Sequence, residues 1–303
     1  MVTQAKEREG ILVTNRKVKL NILAFCTVLI WATAFPITKV VEEYFSINSL
    51  GLIRLSFASV FLIIFGLFTH VNKPVSRQAV GWLFLAGFLG FALYLILFNT
   101  GIITLTSATS SIIMASTPIM TAIASYIVYG DKIRLSGWIC IGFAFIGVVV
   151  LLLWNGVLSI NIGIIWTLGA ALVFCAYNLI NRKLASIGHT AIETVTYSMI
   201  FGALIMMFCL PQTINEIMSV EPKAILLMAY MGFAPSAVAY LLWSKALEYA
   251  DHTNEVTNYM FVTPLLAALL GFIILGELPD LGTLIGGTII IVSLILFNKF
   301  KEI

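Results

Sequence analysis

Apolar runs of about 20 residues recur along the whole chain, and short polar links separate them. Wound as an α-helix, a run of that length crosses a hydrocarbon layer about 30 Å thick. Because the links are short, neighbouring spans run antiparallel and form one bundle. The pattern predicts an all-α polytopic membrane protein with ten spans, at 20–40, 49–68, 79–99, 106–128, 137–154, 161–181, 193–211, 223–245, 254–275 and 281–298.

The composition agrees with a membrane location and excludes several functions. The 303 residues are 60% hydrophobic and only 10% charged, whereas soluble domains carry about 25% charged residues. The four cysteines lie inside apolar runs and form no C-x-x-C pair, so we expect neither disulfides nor a metal site. Without a phosphate-binding loop or an H-E-x-x-H motif, we predict no catalytic residue, no metal and no cofactor. The basic residues are dispersed, which argues against nucleic-acid binding.

The distribution of Lys and Arg predicts the orientation. These residues concentrate in the segment before the first span, in alternate links and after the last span, while the other links carry mostly Glu and Asp. Cytoplasmic loops are enriched in Lys and Arg. We therefore expect both termini in the cytoplasm, with tails at 1–19 and 299–303, and the protein in the inner or plasma membrane.

The chain also contains an internal repeat. A shift of 146 residues places Tyr94 on Tyr240, the pair Thr117-Pro118 on Thr263-Pro264, and Gly130-Asp131 on Gly276-Glu277. Nearer the start the offset is 143, which places Lys39 on Arg182. The two units, 20–154 and 161–298, hold five spans each. Because five is odd, the second unit enters the membrane inverted, a plan that recurs in transporters.

These features resemble the EamA family of the drug/metabolite transporter superfamily. The matching stretches are "WATAFPITK" in the first span, Arg54 early in the second, and the two Thr-Pro spans that each end in a Gly-acid turn. The resemblance covers nearly the whole chain. It implies a central cavity lined by spans 1, 3, 4, 6, 8 and 9, and transport of small metabolites, with export of amino acids and aromatic compounds most common.

Polar and aromatic side chains at membrane depth are the candidates for binding a substrate, because unpaired polar groups avoid lipid and face the bundle interior. They would form an aromatic pocket with a few amides and hydroxyls for a small amphipathic molecule. The same aromatic residues could instead serve in interface belts or helix packing. The candidates are Trp31, Phe35, Tyr94, Phe98, Ser111, Met114, Tyr177, Asn178, Tyr240, Trp243, Asn258 and Tyr259.

Prolines and ionisable groups add further candidates. Pro118 and Pro264 lie at matched mid-span positions, where each is either a gating hinge or a static kink. Glu255 begins a cavity-facing span and is a possible proton-coupling site, or alternatively a gate ion pair or a solvated helix start. Arg54 could reach the outer surface, pair with Glu42 or Glu43, or receive a substrate carboxylate. Lys39 has the same options at the rim.

The leading functional hypothesis is a secondary transporter that works by alternating access and exports amino acids or aromatic metabolites. The alternative is an importer of nucleosides, sugars or cofactor precursors. A membrane enzyme or a scaffold fits less well, because no cluster of catalytic groups shares one depth. The expected partners are a small-molecule substrate and the lipid bilayer, with the chain as a monomer or a dimer. Glycines in spans 5 and 10, such as Gly147 and Gly286, are expected to let those two helices pack closely.

Overall fold

The computed structural model describes residues 2–69, 76–154, 161–249, 256 and 258–301, and within these ranges the chain is helical and contains no strand. The helices are numbered in chain order. Their bounds are α1 Val2–Glu42, α2 Ile47–Thr69, α3 Arg77–Gly87, α4 Tyr94–Ile102, α5 Ser107–Ala115, α6 Thr117–Tyr129, α7 Leu135–Leu153, α8 Ile162–Ser186, α9 Ala191–Ile205, α10 Leu210–Ser219, α11 Pro222–Phe233, α12 Ala239–Tyr249, α13 Thr263–Leu275 and α14 Leu281–Lys301.

Apolar helical stretches account for the predicted spans. In the described ranges nine stretches are long and apolar enough to cross a membrane. Their bounds fall close to the predictions, except that the seventh stretch continues to Ser219, beyond the predicted end at 211. A shorter apolar helix, Tyr259–Leu275, occupies the place of the ninth predicted span. The first helix begins at Val2, so part of the predicted tail 1–19 continues the helix, although the apolar stretch itself begins at Arg16.

The outer surface of the bundle is apolar. Large hydrophobic side chains such as Phe68, Phe145 and Leu226 are exposed, and Phe68 shows 82% of its surface. Exposure of so large an apolar surface to water is unfavourable, whereas lipid tails would cover it. The chain is therefore a multi-pass membrane protein.

Small residues set the closest helix contact. Helix α7 packs along α14. A Cβ at Gly147 would lie 2.8 Å from the carbonyl oxygen of Gly286, and a Cβ at Gly286 would lie 2.7 Å from that of Gly147. Neither position has room for a side chain, because the two backbones touch. The predicted close packing of these two helices is confirmed.

Two π-helical segments interrupt the third and eighth spans at equivalent positions. They run over Phe88–Leu93 and Ala234–Val238, and a shift of 146 residues places the start of the first on the start of the second. A π turn widens the helix and leaves its carbonyls less regularly bonded, which is a common feature of functional sites. Tyr94 and Tyr240 follow these segments directly or by one residue.

The two Thr-Pro sequences also break their spans. Helix α5 ends at Ala115 and α6 begins at Thr117, so Pro118 occupies the first turn of a new helix. Likewise a 3₁₀ segment, Asn258–Val262, precedes α13, and Pro264 lies in its first turn. A proline there sacrifices no helical hydrogen bond. Both spans are thus two helical pieces joined near the proline.

Each of these broken spans ends in the same cap. Gly130 and Gly276 adopt left-handed backbone conformations with φ of 70° and 69°. Only glycine adopts this conformation without cost, and it closes the helix by returning the next amide to an earlier carbonyl. Asp131 N–H accordingly donates to Ser125 O, and Glu277 N–H to Gly271 O. The cap fixes where the acidic side chain of each turn lies.

Candidate functional site

A continuous network of nine aromatic rings lies inside the bundle, and we call it the aromatic network. Consecutive rings have centroids 5.1–6.2 Å apart, within the range of favourable ring contacts. In order of contact its members are Trp243, Trp31, Tyr240, Phe91, Tyr177, Phe174, Tyr94, Phe98 and Phe35. It joins residues of both predicted five-span units.

Seven of the nine rings are among the predicted candidates, and the structure brings them together. Phe91 and Phe174 complete the network and were not predicted. The sequence signal for both was present, since each precedes a predicted tyrosine, Tyr94 or Tyr177, by three residues. Residues three apart share a helix face, so the face that carries each tyrosine carries the phenylalanine as well.

The eighth span positions one end of the network. The indole Nε1 of Trp31 donates to the carbonyl oxygen of Pro235 at 3.1 Å, inside the second π-helical segment. The Thr33 hydroxyl shares a 2.7 Å hydrogen bond with Tyr230 on the preceding helix. These bonds tie α1 to the eighth span. They also show how the irregular backbone is used, because an ordinary helix would bond that carbonyl internally.

The middle of the network packs against the first π-helical segment. A Cβ at Gly90 would overlap the ring of Tyr177. The absence of a side chain at Gly90 is therefore what allows α8 to bring Tyr177 into contact with Phe91.

The remaining predicted candidates have separate surroundings. Met114 packs against the cluster of Phe35 and Phe98, and Tyr259 against the cluster beside Trp243. Asn178 Nδ2 donates to the Thr121 hydroxyl at 3.3 Å, which ties α8 to α6.

The last three candidates from the sequence are Ser111, Glu255 and Asn258. Ser111 is buried, and its hydroxyl donates to Ala108 O within its own helix. Glu255 and the side chain of Asn258 lie outside the described residues.

An ion pair closes one end of the bundle, which we call the Lys39 end. Lys39 Nζ bonds the Glu277 carboxylate and also donates to Leu105 O at 2.8 Å. The second Glu277 oxygen accepts the backbone N–H of Ser107 at 2.7 Å. The side chains of Lys39 and Glu277 are only 22% and 13% exposed. The carboxylate therefore joins α1, the turn after α13 and the start of α5.

A second ion pair lies at what we call the Arg182 end. Both terminal nitrogens of Arg182 donate hydrogen bonds to the Asp131 carboxylate, and the distance from Nη2 to Oδ1 is 3.0 Å. Its guanidinium also lies over the ring of Tyr129, 4.2 Å from the centroid, and the Tyr129 hydroxyl donates to Leu179 O. Here the charged side chains are 50% and 42% exposed.

The two ion pairs are equivalent by the internal repeat and lie at opposite ends. Lys39 corresponds to Arg182 at the 143-residue offset, and Asp131 to Glu277 at 146. Ser107, at the Lys39 end, and Tyr129, at the Arg182 end, bound one span of 23 residues, which is about 34 Å of helix. In each pair the cation comes from one five-span unit and the acid from the other. Lys39 thus pairs with Glu277, and not with the predicted partners Glu42 or Glu43.

Arg54 does not pair as one of its predicted alternatives required. Its Nε donates to the hydroxyl of Ser236, and neither Glu42 nor Glu43 lies within ion-pair distance. The difference follows from direction. Arg54 lies within the apolar stretch Ile47–Phe68 and reaches the second π-helical segment, whereas those carboxylates belong to the end of α1 and the link after it.

Among the described residues no three His, Cys, Asp or Glu side chains gather as a metal site would require. What is present is an interior aromatic surface between two sets of helices, with a charged closure at each end. Such a bundle belongs to the class of polytopic membrane transporters.

The comparison with known families agrees with this class. The chain belongs to the EamA-like transporter family, whose model matches residues 18–153 and 161–299. It is a transporter and not an enzyme, as its relatives also indicate.

Three curated relatives illustrate the range of the family. The uncharacterized transporter YdfC of Bacillus subtilis is 29% identical over 86% of this chain and 84% of its own length. A probable terminal-alkyne amino-acid exporter of Streptantibioticus cattleyicolor is 26% identical over 90% and 91%. An S-adenosylmethionine uptake transporter of Rickettsia prowazekii is 24% identical over 64% and 63%.

A solved structure shares the fold. A crystal structure of a protein 16% identical in sequence matches with a TM-score of 0.61, over 94% of this chain and 98% of that one. This likeness concerns the arrangement of the helices.

Proposed function

We propose that the protein exports amino acids or related aromatic metabolites across the plasma membrane by alternating access. The two units, 20–154 and 161–298, are proposed to be inverted halves that rock about the aromatic network. Opening one end while the other stays closed moves the substrate without a continuous pore. Hydrolysis of a nucleotide is not part of the proposal, since the chain has no phosphate-binding loop.

The observation that carries the proposal is the pair of equivalent closures. Each ion pair crosses between the two units, so rocking the units at that end must break it. Because the two pairs lie at opposite ends of one span, one can break while the other holds. The separate matches of the family model to residues 18–153 and 161–299 also support two units of one design.

The broken spans supply the flexible joints. The α5–α6 junction at Ser116 and the junction before Thr263 are places where the helical hydrogen bonds are already interrupted. A helix bends at such a point at little cost. We propose that Pro118 and Pro264 are the hinges, one in each half.

The proposed direction across the membrane rests on charge. Lys and Arg concentrate in the links on the side of the termini and of Arg182, and cytoplasmic loops are enriched in them. The Arg182 end is therefore proposed to face the cytoplasm, and the Lys39 end the outside.

The proposed substrate class rests on the aromatic network and on one relative. Rings of Trp, Tyr and Phe recognise apolar and aromatic bodies. The relative from Streptantibioticus cattleyicolor is described as a probable exporter of an amino acid with an alkyne group. Import is the second candidate, because another relative is an uptake transporter for S-adenosylmethionine.

Counterflow in proteoliposomes tests the proposal. Vesicles are loaded with an unlabelled aromatic amino acid, and uptake of trace labelled compound is followed, with S-adenosylmethionine and a nucleoside as parallel probes. We expect saturable exchange of the amino acid. Exchange of only S-adenosylmethionine or the nucleoside would favour the importer, and no exchange of any aromatic or aliphatic amino acid would reject the substrate class. Internal amino-acid pools in cells with and without the gene then decide the direction.

A further inference from the structure

Arg54 is a cation inside the bundle with no anionic partner in the part of the chain that the structure describes. It belongs to the apolar stretch Ile47–Phe68. The two closure cations, Lys39 and Arg182, each bond a carboxylate. Arg54 instead bonds a neutral group, the Ser236 hydroxyl.

The hydrogen bond of Arg54 uses only its Nε and leaves the two terminal guanidinium nitrogens available. The Nε donates a hydrogen bond to Ser236 Oγ. The Ser236 hydroxyl in turn donates a hydrogen bond to Met231 O at 3.0 Å. The two terminal nitrogens of Arg54 form no hydrogen bond with a described residue. These nitrogens form the planar fork that binds a carboxylate through two parallel hydrogen bonds. Ser236 therefore orients the guanidinium while leaving the fork free.

The position is costly unless an anion visits it. A charged side chain within a membrane bundle is expensive and normally pairs with an opposite charge or marks a substrate pathway. Removing such an ion from water costs several kcal/mol, and a neutral hydroxyl offsets only part of that. Arg54 has no carboxylate within reach among the described residues, so the missing partner is best supplied by a ligand.

The surroundings of Arg54 join it to the aromatic network. Its partner Ser236 belongs to the second π-helical segment, in which Pro235 O accepts the indole N–H of the network ring Trp31. Arg54 also lines a small cavity whose other polar members are Thr38 and Asn99. Arg54 thus lies between the segment that anchors the network and a small cavity with both polar and apolar walls.

We propose that Arg54 binds the carboxylate of the transported substrate through its two terminal nitrogens, while the aromatic network holds the rest of the molecule. The proposal rests on the proposed transport function and narrows its substrate class to carboxylate-bearing aromatic or apolar compounds. The small cavity beside Arg54 widens when the halves separate, and the carboxylate enters it. Amines without a carboxylate lack the group that Arg54 selects.

Binding to the purified full-length protein tests this with three probes that share one ring. Tryptophan carries a carboxylate and an ammonium group, indole-3-propionate only the carboxylate, and tryptamine only the ammonium. We expect the protein to bind the two carboxylates at least about tenfold more tightly than tryptamine, as loss of a charge-assisted bidentate bond implies. Equal or tighter binding of tryptamine would overturn the proposal, as would no binding of either carboxylate.

Variants at Arg54 sharpen the result. We expect Arg54→Met to weaken binding of indole-3-propionate by about 10- to 100-fold and to leave tryptamine unchanged, with Arg54→Lys between the two. Lys223→Met, which removes an exposed cation, is the control and should bind like wild type. If Arg54→Met does not fold, Ser236→Ala replaces it, and we expect a smaller loss that is again confined to carboxylates. Unchanged carboxylate binding in the folded variant contradicts the proposal.

The outcomes separate this inference from the proposed function. Binding and exchange of indole-3-propionate without tryptophan would remove amino acids from the proposed function and retain the role of Arg54. Exchange of tryptophan that Arg54→Met does not alter would retain amino-acid transport and remove the role of Arg54.

Discussion

The Lys39 end and the Arg182 end are built from equivalent residues but closed to different degrees. At the Lys39 end the carboxylate of Glu277 is 13% exposed and also accepts a backbone N–H. At the Arg182 end the side chain of Asp131 is 42% exposed to solvent. Removing one partner of a buried ion pair is strongly destabilising, because the other charge stays buried without compensation. Solvent screens the charges of an exposed pair, so the same loss costs less there. In the proposed alternating-access mechanism, the Lys39 end is therefore the more tightly closed end and the Arg182 end the more easily opened one.

In the proposed mechanism, this difference between the two ends keeps both ends from opening together. If both closures were equally strong, neither end would open first. Because one is buried and the other is exposed, the balance between the two states can be set by a few contacts at each end. The predictions below alter these contacts and follow the opening of each end.

The largest effect is expected from Glu277→Gln. The change leaves Lys39 without a counter-charge in a mostly buried place, which costs about 3 kcal/mol of the closed state. We expect a cysteine introduced at the buried Ser107 position, in a background without the four native cysteines, to react about tenfold faster or more with a membrane-impermeant maleimide. Labelling in vesicles of both orientations gives the rate. Glu221→Gln, at an exposed acid near the same face, is the control, and an unchanged rate in Glu277→Gln would contradict the closure.

A charge exchange should restore much of that loss. In the double variant Lys39→Glu/Glu277→Lys the two charges still attract each other, so labelling of the same Ser107→Cys reporter should return toward wild type. Each single change should accelerate it. Additive effects of the two changes would mean that the residues act separately and do not form a closure.

A smaller effect is expected from Asp131→Asn at the Arg182 end. Solvent already surrounds Arg182, so loss of its partner shifts the balance only about two- to threefold. A cysteine at the buried Ile180 position near that end reports it, with Lys183→Met as the control at an exposed neighbouring cation. An effect as large as that of Glu277→Gln would remove the asymmetry between the two ends.

The smallest effect concerns salt. Raising the ionic strength from 0.1 M to 1 M shortens the Debye length from about 10 Å to about 3 Å, and exposed pairs weaken more than buried ones. We expect labelling of Ile180→Cys to increase modestly and labelling of Ser107→Cys to stay nearly constant. Equal responses at both ends would show that the Lys39 pair is as accessible to ions as its counterpart.

The hydrophobic pattern predicted the helices well, because a span must be about 20 apolar residues long whatever its neighbours are. The same pattern missed the π-helical segments at Phe88–Leu93 and Ala234–Val238. Their irregular hydrogen bonding depends on contacts such as that of Trp31 with Pro235, which no local sequence signal contains. At the ninth predicted span the structure has only the shorter apolar helix Tyr259–Leu275, and the first predicted residues of that span lie outside the described part of the chain.

The site was predictable in its parts but not in its connections. Lys39 and Arg182 aligned in the repeat, and Asp131 and Glu277 aligned likewise. Each cation pairs with the acid of the other unit. This pairing is a tertiary contact, which an alignment of the two units does not reveal. Arg54 is the clearest case. Its distance along the span favoured an outer carboxylate, but the helix directs it to Ser236.

The crossed pairing also bears on ancestry. Each half contributes one cation and one acid to the two ion pairs, and in both halves these two charges lie at opposite ends of the bundle. Two copies of the first half, placed head to tail, could form both closures with Lys39 of one copy and Asp131 of the other. A molecule of this kind could have existed before its gene was doubled and fused. The present chain would then preserve, in the opposed charges of its two ends, the geometry of an ancient symmetric pair.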